Sequence, residues 1–195
     1  HLPSRLGRRQ RVPREVHPWY RARIHRRYLV AGKPCPLLGG DQAQSLRLRK
    51  RPIHPKTSQP TPGDFRRQYQ YLNSYYNSII SIHIPEKLSG TYQSASVAAK
   101  NTSGANITVI DGKNMSVGLG LLIEEIANLI DNSELNHDEI LLKIEKAIKN
   151  IEIYTAVKDL SYAVKGGRVP KIIKTISDIF NFKPILSIKN DGIMG

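Results

Sequence analysis

Two turns in the sequence carry hydroxyl and amide side chains of the kind that bind anions. The first turn, residues 57–60, reads Thr-Ser-Gln-Pro, and the second, residues 89–91, reads Ser-Gly-Thr. Hydroxyl and amide groups donate hydrogen bonds to a carboxylate or a phosphate without repelling its charge. Whether they form one site depends on the elements that place the two turns.

The second turn lies between a predicted strand and a predicted helix. Residues 78–84 have the isoleucine content and short length of a buried strand, and residues 92–100 are Ala-rich with helical spacing. Ser89 is therefore predicted near a helix N-cap, where free backbone N–H groups and the helix dipole favour an anion. Gly90 has no Cβ, so a ligand oxygen can approach the backbone there. In the alternative interpretation, Ser89 only caps its helix.

The first turn precedes another predicted helix, residues 62–75. Thr61 is a typical cap, Pro62 suits the first helical position, and Asp64 stands where a capping box places its acid. A loop of this composition often has no function of its own. Two such turns on consecutive units of one α/β sheet nevertheless face the same crevice, at the carboxyl ends of the strands.

At these residues the sequence resembles a known family. Residues 55–65 read Pro-Lys-Thr-Ser-Gln-Pro-Thr-Pro-Gly-Asp-Phe, and residues 80–95 read Ile-Ser-Ile-His-Ile-Pro-Glu-Lys-Leu-Ser-Gly-Thr-Tyr-Gln-Ser-Ala. Both resemble the DegV family of bacterial fatty-acid-binding proteins. Further matches follow in the family's order, at residues 109–111, 116–120, 165–169 and 183–186.

The resemblance implies an α/β fold with a mainly parallel sheet flanked by helices. Residues 55–150 would form the first domain, and residues 151–195 would begin a second α/β domain and end inside it. Family members continue beyond this point and carry a glycine-rich loop with a histidine near the ligand head group. We therefore expect exposed apolar faces in residues 151–195.

The resemblance also implies a function and a site. A long-chain fatty acid such as palmitate would lie between the domains, with its carboxylate held by the hydroxyls of Thr57 and Ser89. Gly90 and Thr91 belong to the same motif, so the lipid-binding set includes them. In well-understood members, the bound acid is presented to a separate fatty acid kinase.

Arg168 is the fifth candidate lipid-binding residue. Its planar guanidinium can donate two parallel hydrogen bonds to a carboxylate, a phosphate or an acidic group of a partner. A solvated or purely structural Arg168 is an equal alternative. His83 lies inside an apolar strand, which favours a hydrogen-bonded structural histidine over a base. No nucleophile elbow surrounds Ser89, and no Walker-type loop is present. The sequence therefore predicts a lipid-binding carrier protein without a catalytic residue or a cofactor, rather than an enzyme.

Residues 1–54 differ from the rest of the chain. They hold 14 of the 30 Lys and Arg residues but only 2 of the 16 acids, and 12 of those 14 are Arg. The segment shows no sustained period of 2 or 3.6, so we do not expect it to be a native domain. Three interpretations remain: a nucleic-acid-binding arm, an organellar targeting peptide, or translation from a different reading frame, which we favour.

The rest of the sequence predicts further strands and helices and shows few other signals. Later predicted elements are a strand at 106–111, helices at 121–130 and 136–149, a strand at 152–157, helices at 159–164 and 171–180, a strand at 183–189 and a turn at 190–192. Asp111 could bond neighbouring turns or only shape its own. Cys35 is the single cysteine, and no metal-ligand spacing is present. No apolar run has transmembrane length and no secretory signal opens the chain, so a cytoplasmic location is the expectation.

Overall fold

The computed structural model describes residues 21–24, 28–32, 58–157, 159–170, 173, 175, 183–189 and 191–195. For residues 21–24 and 28–32 it describes the backbone alone. Thr57, one of the predicted carboxylate ligands, lies outside the described residues.

The described part of the chain contains six strands and five helices. The strands are β1 (Arg21–Ile24), β2 (Tyr28–Gly32), β3 (Ser78–His83), β4 (Asn106–Asp111), β5 (Tyr154–Ala156) and β6 (Ile185–Ser187). The helices are α1 (Pro62–Asn73), α2 (Thr91–Lys100), α3 (Ser116–Asn132), α4 (His137–Asn150) and α5 (Ser161–Lys165).

The main sheet has the strand order β1-β2-β3-β4. β2, β3 and β4 are parallel, and β1 is antiparallel to β2. In the register of β3 and β4, Ser78 pairs with Asn106 and His83 pairs with Asp111, so both strands end at the same edge. Because α2 connects two parallel neighbours, the predicted α/β fold with a mainly parallel sheet is confirmed.

β3 is buried on both faces along its whole length. Ile79 packs with Phe65 and Tyr69 of α1 and with the small residues of α2. On the opposite face, Ile80 and Ile82 pack with apolar residues of α3 and α4. Each buried isoleucine contributes about 1.5–3 kcal/mol relative to an exposed one. The strand that leads into the second turn is therefore the rigid centre of the domain.

Capping interactions fix where α1 begins. Thr61 is the N-cap, its backbone N–H donates to Asp64 Oδ2 at 2.9 Å, and the Asp64 N–H donates to Thr61 Oγ1 at 3.2 Å. Hydrogen bonds from Thr61 lower the pKa of the Asp64 carboxyl. Pro62 occupies the first helical position, where no N–H is needed. The predicted capping box is confirmed, and it fixes the point at which the first turn enters α1.

The structure places strands in the Arg-rich segment, where the sequence pattern indicated none. β2 pairs in parallel with β3, from Tyr28 opposite Ser78 to Ala31 opposite Ser81. A parallel strand covered on both faces reads as a short apolar run without alternation, so a periodicity of 2 does not reveal it. The assignment of residues 1–54 as a non-native segment stays a prediction.

α3 is not buried on all sides. Although its sequence is mainly apolar, Val117 is 58% exposed and Leu121 is 55% exposed. The face that meets the sheet carries Leu119, Leu122 and Ile126, which are buried. The helix therefore has one covered face and one open apolar face.

Residues 151–195 contribute a small two-stranded antiparallel sheet of β5 and β6. Beyond β6 the chain turns back at Gly192, whose φ is +80°, and the Lys189 N–H donates to the Ile193 carbonyl at 2.9 Å. The predicted hairpin turn is thus confirmed, with the chain pairing as far as Gly195. The predicted helix at 171–180 lies mostly outside the described residues.

No helix in the described ranges combines the length and the apolar character needed to cross a membrane.

Candidate functional site

The candidate site lies at the carboxyl end of β3, where the chain turns into α2. The carbonyl of Pro85 accepts hydrogen bonds from the N–H groups of Leu88 at 3.0 Å and Ser89 at 3.1 Å, which closes a compact turn. Gly90 is the N-cap of α2 and has no side chain to offer. Ser89 therefore lies one residue before the cap, close to its predicted position. Since Gly90 has no side chain to cap α2, the N–H groups that follow the one of Thr91 can bind an anion.

Ser89 and Thr91 form a pair of hydroxyl groups at this helix end. Their oxygens lie 2.8 Å apart, and the Thr91 N–H also donates to Ser89 Oγ at 3.3 Å. Thr91 is buried and Ser89 is half-buried. When the Thr91 hydroxyl donates to Ser89, both acceptor positions of Ser89 are filled and its own proton points elsewhere. Ser89 is thereby prepared to donate a hydrogen bond to an acceptor such as a carboxylate.

The first turn lies against the second. A Cβ on Gly90 would overlap the side-chain amide of Gln59. The space beside Gly90, where we expected a ligand oxygen, is thus occupied by the Gln59 amide. This amide brings another hydrogen-bonding group to the turn. Gln59 is separated from Thr57 by one residue, so the two predicted turns approach each other as expected, although Thr57 itself is not described.

Arg168 reaches the same turn from the later part of the chain. Its Nε donates to the carbonyl of Leu88 at 3.2 Å, and a terminal nitrogen donates to the carbonyl of Gly166. Gly167, with a φ of +74°, makes a left-handed turn shortly after α5 ends. Two of the five guanidinium N–H groups thus bind backbone carbonyls in an otherwise exposed side chain. Arg168 has a structural role here, and its remaining donors lie beside the candidate site.

Asp111 connects the ends of β3 and β4. Its Oδ1 accepts from the Lys113 N–H at 3.0 Å, and its Oδ2 accepts from Lys113 Nζ at 2.6 Å and from the Glu86 N–H at 3.3 Å. Asp111 therefore bonds its own turn and the neighbouring one. The hydrogen bond to Asp111 raises the pKa of Lys113, so this amine keeps its positive charge near neutral pH. The charge of Asp111 is consequently paired with that of Lys113, which lowers its repulsion of an anionic ligand.

His83 is the buried last residue of β3. Its Nε2 lies 2.7 Å from Ser81 Oγ, and its ring meets Phe65 edge-on with centroids 5.1 Å apart. Burial lowers its pKa to about 4, and the charge of Asp111 opposes that shift. The predicted hydrogen-bonded structural histidine is confirmed for Nε2. Nδ1 has no partner among the described residues.

Comparison with known proteins decides the family. A sequence profile of the DegV family, described as an uncharacterised protein, matches residues 42–194. The chain belongs to the DegV family. This confirms the resemblance, and the match begins inside the Arg-rich segment.

Similar proteins include a DegV domain-containing protein of Staphylococcus aureus, 38% identical over 137 residues that cover 70% of this chain and 48% of that protein. A DegV family protein of Thermus thermophilus, described as binding fatty acid, is 30% identical with a TM-score of 0.68, covering 77% of this chain and 52% of that one. The Streptococcus pneumoniae fatty acid kinase B3 protein, loaded with linoleic acid, shares the fold at 22% identity and a TM-score of 0.71, covering 85% and 58% of the two chains. The chain spans about half the length of the curated relatives it matches.

Within this DegV chain, the structure brings together four of the five predicted lipid-binding residues. Ser89, Gly90 and Thr91 form the turn, and Arg168 bonds to it. Sequence reasoning missed Gln59 as the contact between the turns and missed Tyr69 and Ser81 beneath His83. The Ser81–His83 contact could have been predicted, because positions 81 and 83 share one face of the strand.

The arrangement suits binding better than catalysis. Ser89 hydrogen-bonds to another hydroxyl rather than to a base, so nothing described here activates it as a nucleophile. Across the described ranges, no group of three His, Cys, Asp or Glu side chains could hold a metal ion. The local chemistry is that of neutral donors around a helix end.

Proposed function

We propose that this chain forms the head-group-binding part of a protein that binds a long-chain fatty acid. The observation that carries the proposal is the Ser89–Thr91 hydroxyl pair at the start of α2, with Gln59 of the first turn against Gly90. Thr57 would complete the set from the first turn. The description of the Thermus thermophilus protein as binding fatty acid supports the assignment.

The two ends of such a ligand contribute differently to the binding free energy. Each buried methylene of the acyl chain contributes about 0.8 kcal/mol, so a long chain supplies most of the affinity. A negative charge at a helix N-terminus gains about 0.3–1 kcal/mol, and each hydrogen bond to a charged group about 1.5–3 kcal/mol. The hydroxyl turns therefore select an acid over an uncharged lipid and fix its orientation.

The proposal describes a carrier without catalytic activity of its own. The ligand would be a saturated or unsaturated long-chain acid such as palmitate, with its acyl chain buried between two domains. The bound acid would then be presented to a fatty acid kinase, which agrees with the name of the Streptococcus pneumoniae protein that shares the fold. A cytoplasmic location stays a prediction.

The test replaces hydroxyl groups and measures fatty acid affinity. The double variant Thr57→Val with Ser89→Ala removes two proposed donors, and we expect palmitate to bind roughly 10- to 100-fold more weakly in a calorimetric titration. Ser103→Ala is the matched control, because Ser103 is exposed beyond the opposite end of α2. Unchanged palmitate affinity in the double variant would remove both residues from the site.

Nucleic-acid binding through residues 1–54 stays a prediction from charge alone. The structure describes only the backbone of β1 and β2 in this segment, and both strands belong to the sheet. No feature of the described residues favours that function over fatty acid binding.

A further inference from the structure

A chain of three buried polar side chains runs between α1 and the end of β3. The Tyr69 hydroxyl donates to Ser81 Oγ at 2.8 Å, and Ser81 Oγ lies 2.7 Å from His83 Nε2. The three residues are only 3%, 2% and 2% exposed. Such a network fixes the imidazole in one orientation, because any rotation would leave buried polar atoms without partners.

These hydrogen bonds agree with one imidazole tautomer. A serine hydroxyl has one proton, and since Ser81 Oγ accepts from Tyr69, that proton is available for His83 Nε2. In that arrangement Nε2 accepts from Ser81, and Nδ1 carries the ring proton. Burial holds the pKa of His83 at about 4, so the ring is neutral at pH 7 and has this single N–H donor.

That donor has no partner among the described residues. The nearest acid along the sheet edge, Asp111, already accepts from the backbone N–H and Nζ of Lys113 and from the backbone N–H of Glu86. A buried N–H without an acceptor is costly, and native proteins seldom leave one unsatisfied. The network therefore holds a donor in place for an acceptor that the described residues do not supply.

The position of His83 connects it with the candidate site. It is the last residue of β3, directly before the turn that carries Ser89. Its ring contacts Phe65 near the start of α1, and that helix follows the loop in which Gln59 meets Gly90. The unpartnered donor thus lies at the strand end that both hydroxyl turns share.

We propose that His83, held by Tyr69 and Ser81, donates a hydrogen bond from Nδ1 to the carboxylate of the bound fatty acid. This inference rests on the proposed function and adds a residue at the end of β3 that positions the ligand. A neutral imidazole contributes an N–H without a charge, so the interaction persists throughout the neutral pH range.

The test uses two replacements that differ at the proposed donor. His83→Phe keeps an aromatic ring against Phe65 but removes both nitrogens, whereas His83→Asn places an amide N–H close to the position of Nδ1. Affinities are measured for palmitate and for hexadecanol, which has the same chain length and no carboxylate. We expect His83→Phe to bind palmitate roughly 10-fold or more weakly with little change for hexadecanol, and His83→Asn to recover much of the loss.

Equal losses for palmitate and hexadecanol in His83→Phe would show a merely structural histidine and overturn the inference. The same conclusion would follow if the Asn variant were as weak as the Phe variant. Wild-type protein that does not bind palmitate would instead refute the proposed function, whereas binding that depends on Ser89 but not on His83 would refute only the role of His83.

Nitrogen-15 NMR of the imidazole gives a measurement that does not depend on any variant folding. We expect the wild-type protein to show the Nδ1–H tautomer of His83 and a downfield shift of that proton when palmitate is added. An Nε2–H tautomer, or an Nδ1 proton that does not respond to palmitate, would contradict the proposal.

Discussion

At the scale of single residues, the first donors of the site are uncharged. Ser89 and Thr91 contribute hydroxyl groups, and Lys113 pairs with Asp111, the acid at the end of β4. A fatty acid carboxylate would therefore meet several hydrogen-bond donors, and Asp111 would repel it less than an unpaired acid. This arrangement favours orientation of an anion without a buried unpaired cation, which would be expensive in the empty site.

The buried histidine predicts a specific dependence of stability on pH. In the folded chain the pKa of His83 is about 4, below the ordinary value of 6.5. Between these pH values the unfolded chain binds a proton at this histidine that the folded chain does not. The stability that the neutral, buried His83 contributes is therefore complete above pH 6.5 and is lost as the pH falls toward 4. Near pH 4 the loss in the free energy of unfolding reaches about 3 kcal/mol.

Urea unfolding at several pH values checks this expectation. His83→Phe lacks the titrating group, so its stability should decline less steeply than that of the wild type between pH 6.5 and pH 4. Other histidines and the carboxyl groups titrate in both proteins and cancel in the comparison. Parallel profiles for the two proteins would show that His83 is protonated as easily in the folded chain as in the unfolded one.

Part of this site could be predicted from local sequence. Ser89 and Thr91 follow a strand signal and precede a helix signal, so their position at a helix start needed no tertiary information. The network of Tyr69, Ser81 and His83 joins α1 to β3 across 12 positions, and only the packing of the helix on the sheet brings these side chains together. Gln59 was assigned to its turn, but its contact with Gly90 depends on the same packing.

At the scale of elements, signals contained in a few residues were more predictable than those that depend on a distant partner. α1 and α4 both begin with capping boxes, at Thr61 and at Asn136, and such signals are contained within four residues. β2 is different, because its identity as a strand depends on pairing with β3, about 50 positions later. A short apolar run in an Arg-rich segment carries no local signal of that partner.

The two glycines of α3 provide an element-scale prediction. A Cβ on Gly118 would lie 2.5 Å from Asn114 Oδ1, and Asn114 is buried and fixed by a hydrogen bond from Nδ2 to the Ile151 carbonyl at 2.9 Å. A Cβ on Gly120 would have no neighbour within 4 Å. Gly118→Ala should therefore destabilise the protein, whereas Gly120→Ala should stabilise it by about 0.5–1 kcal/mol through helix propensity.

Thermal and urea unfolding of the two alanine variants measures this difference. The pair is internally controlled, since both substitutions add one methyl group to the same helix. Equal effects at the two positions would mean that Asn114 moves freely and that Gly118 is not needed for close packing.

At the scale of the whole molecule, the small sheet of β5 and β6 has one covered face and one open face. Leu186 packs inward with Leu160 and Val169, whereas Tyr154 and Ile185 are each 67% exposed on the outer face. The expected exposure of apolar surface in residues 151–195 is thus confirmed. Contiguous apolar surface of this kind favours association.

A dye-binding experiment checks the consequence of this open face. Ile185→Thr keeps a β-branched residue in the strand but removes apolar surface, so we expect lower fluorescence of a hydrophobic dye and less self-association in sedimentation. Leu142→Gln is the control, because Leu142 is 61% exposed and belongs to α4 rather than to the small sheet. An equal decrease in both variants would show that the outer face of β5 and β6 has no special part in association.

The bond between Arg168 and the carbonyl of Leu88 joins residues 80 positions apart. It links the segment after α5 to the backbone that precedes Ser89. Displacement of that segment would therefore be transmitted to the turn that carries Ser89, and under the proposed function the two ends of a bound lipid would be released together.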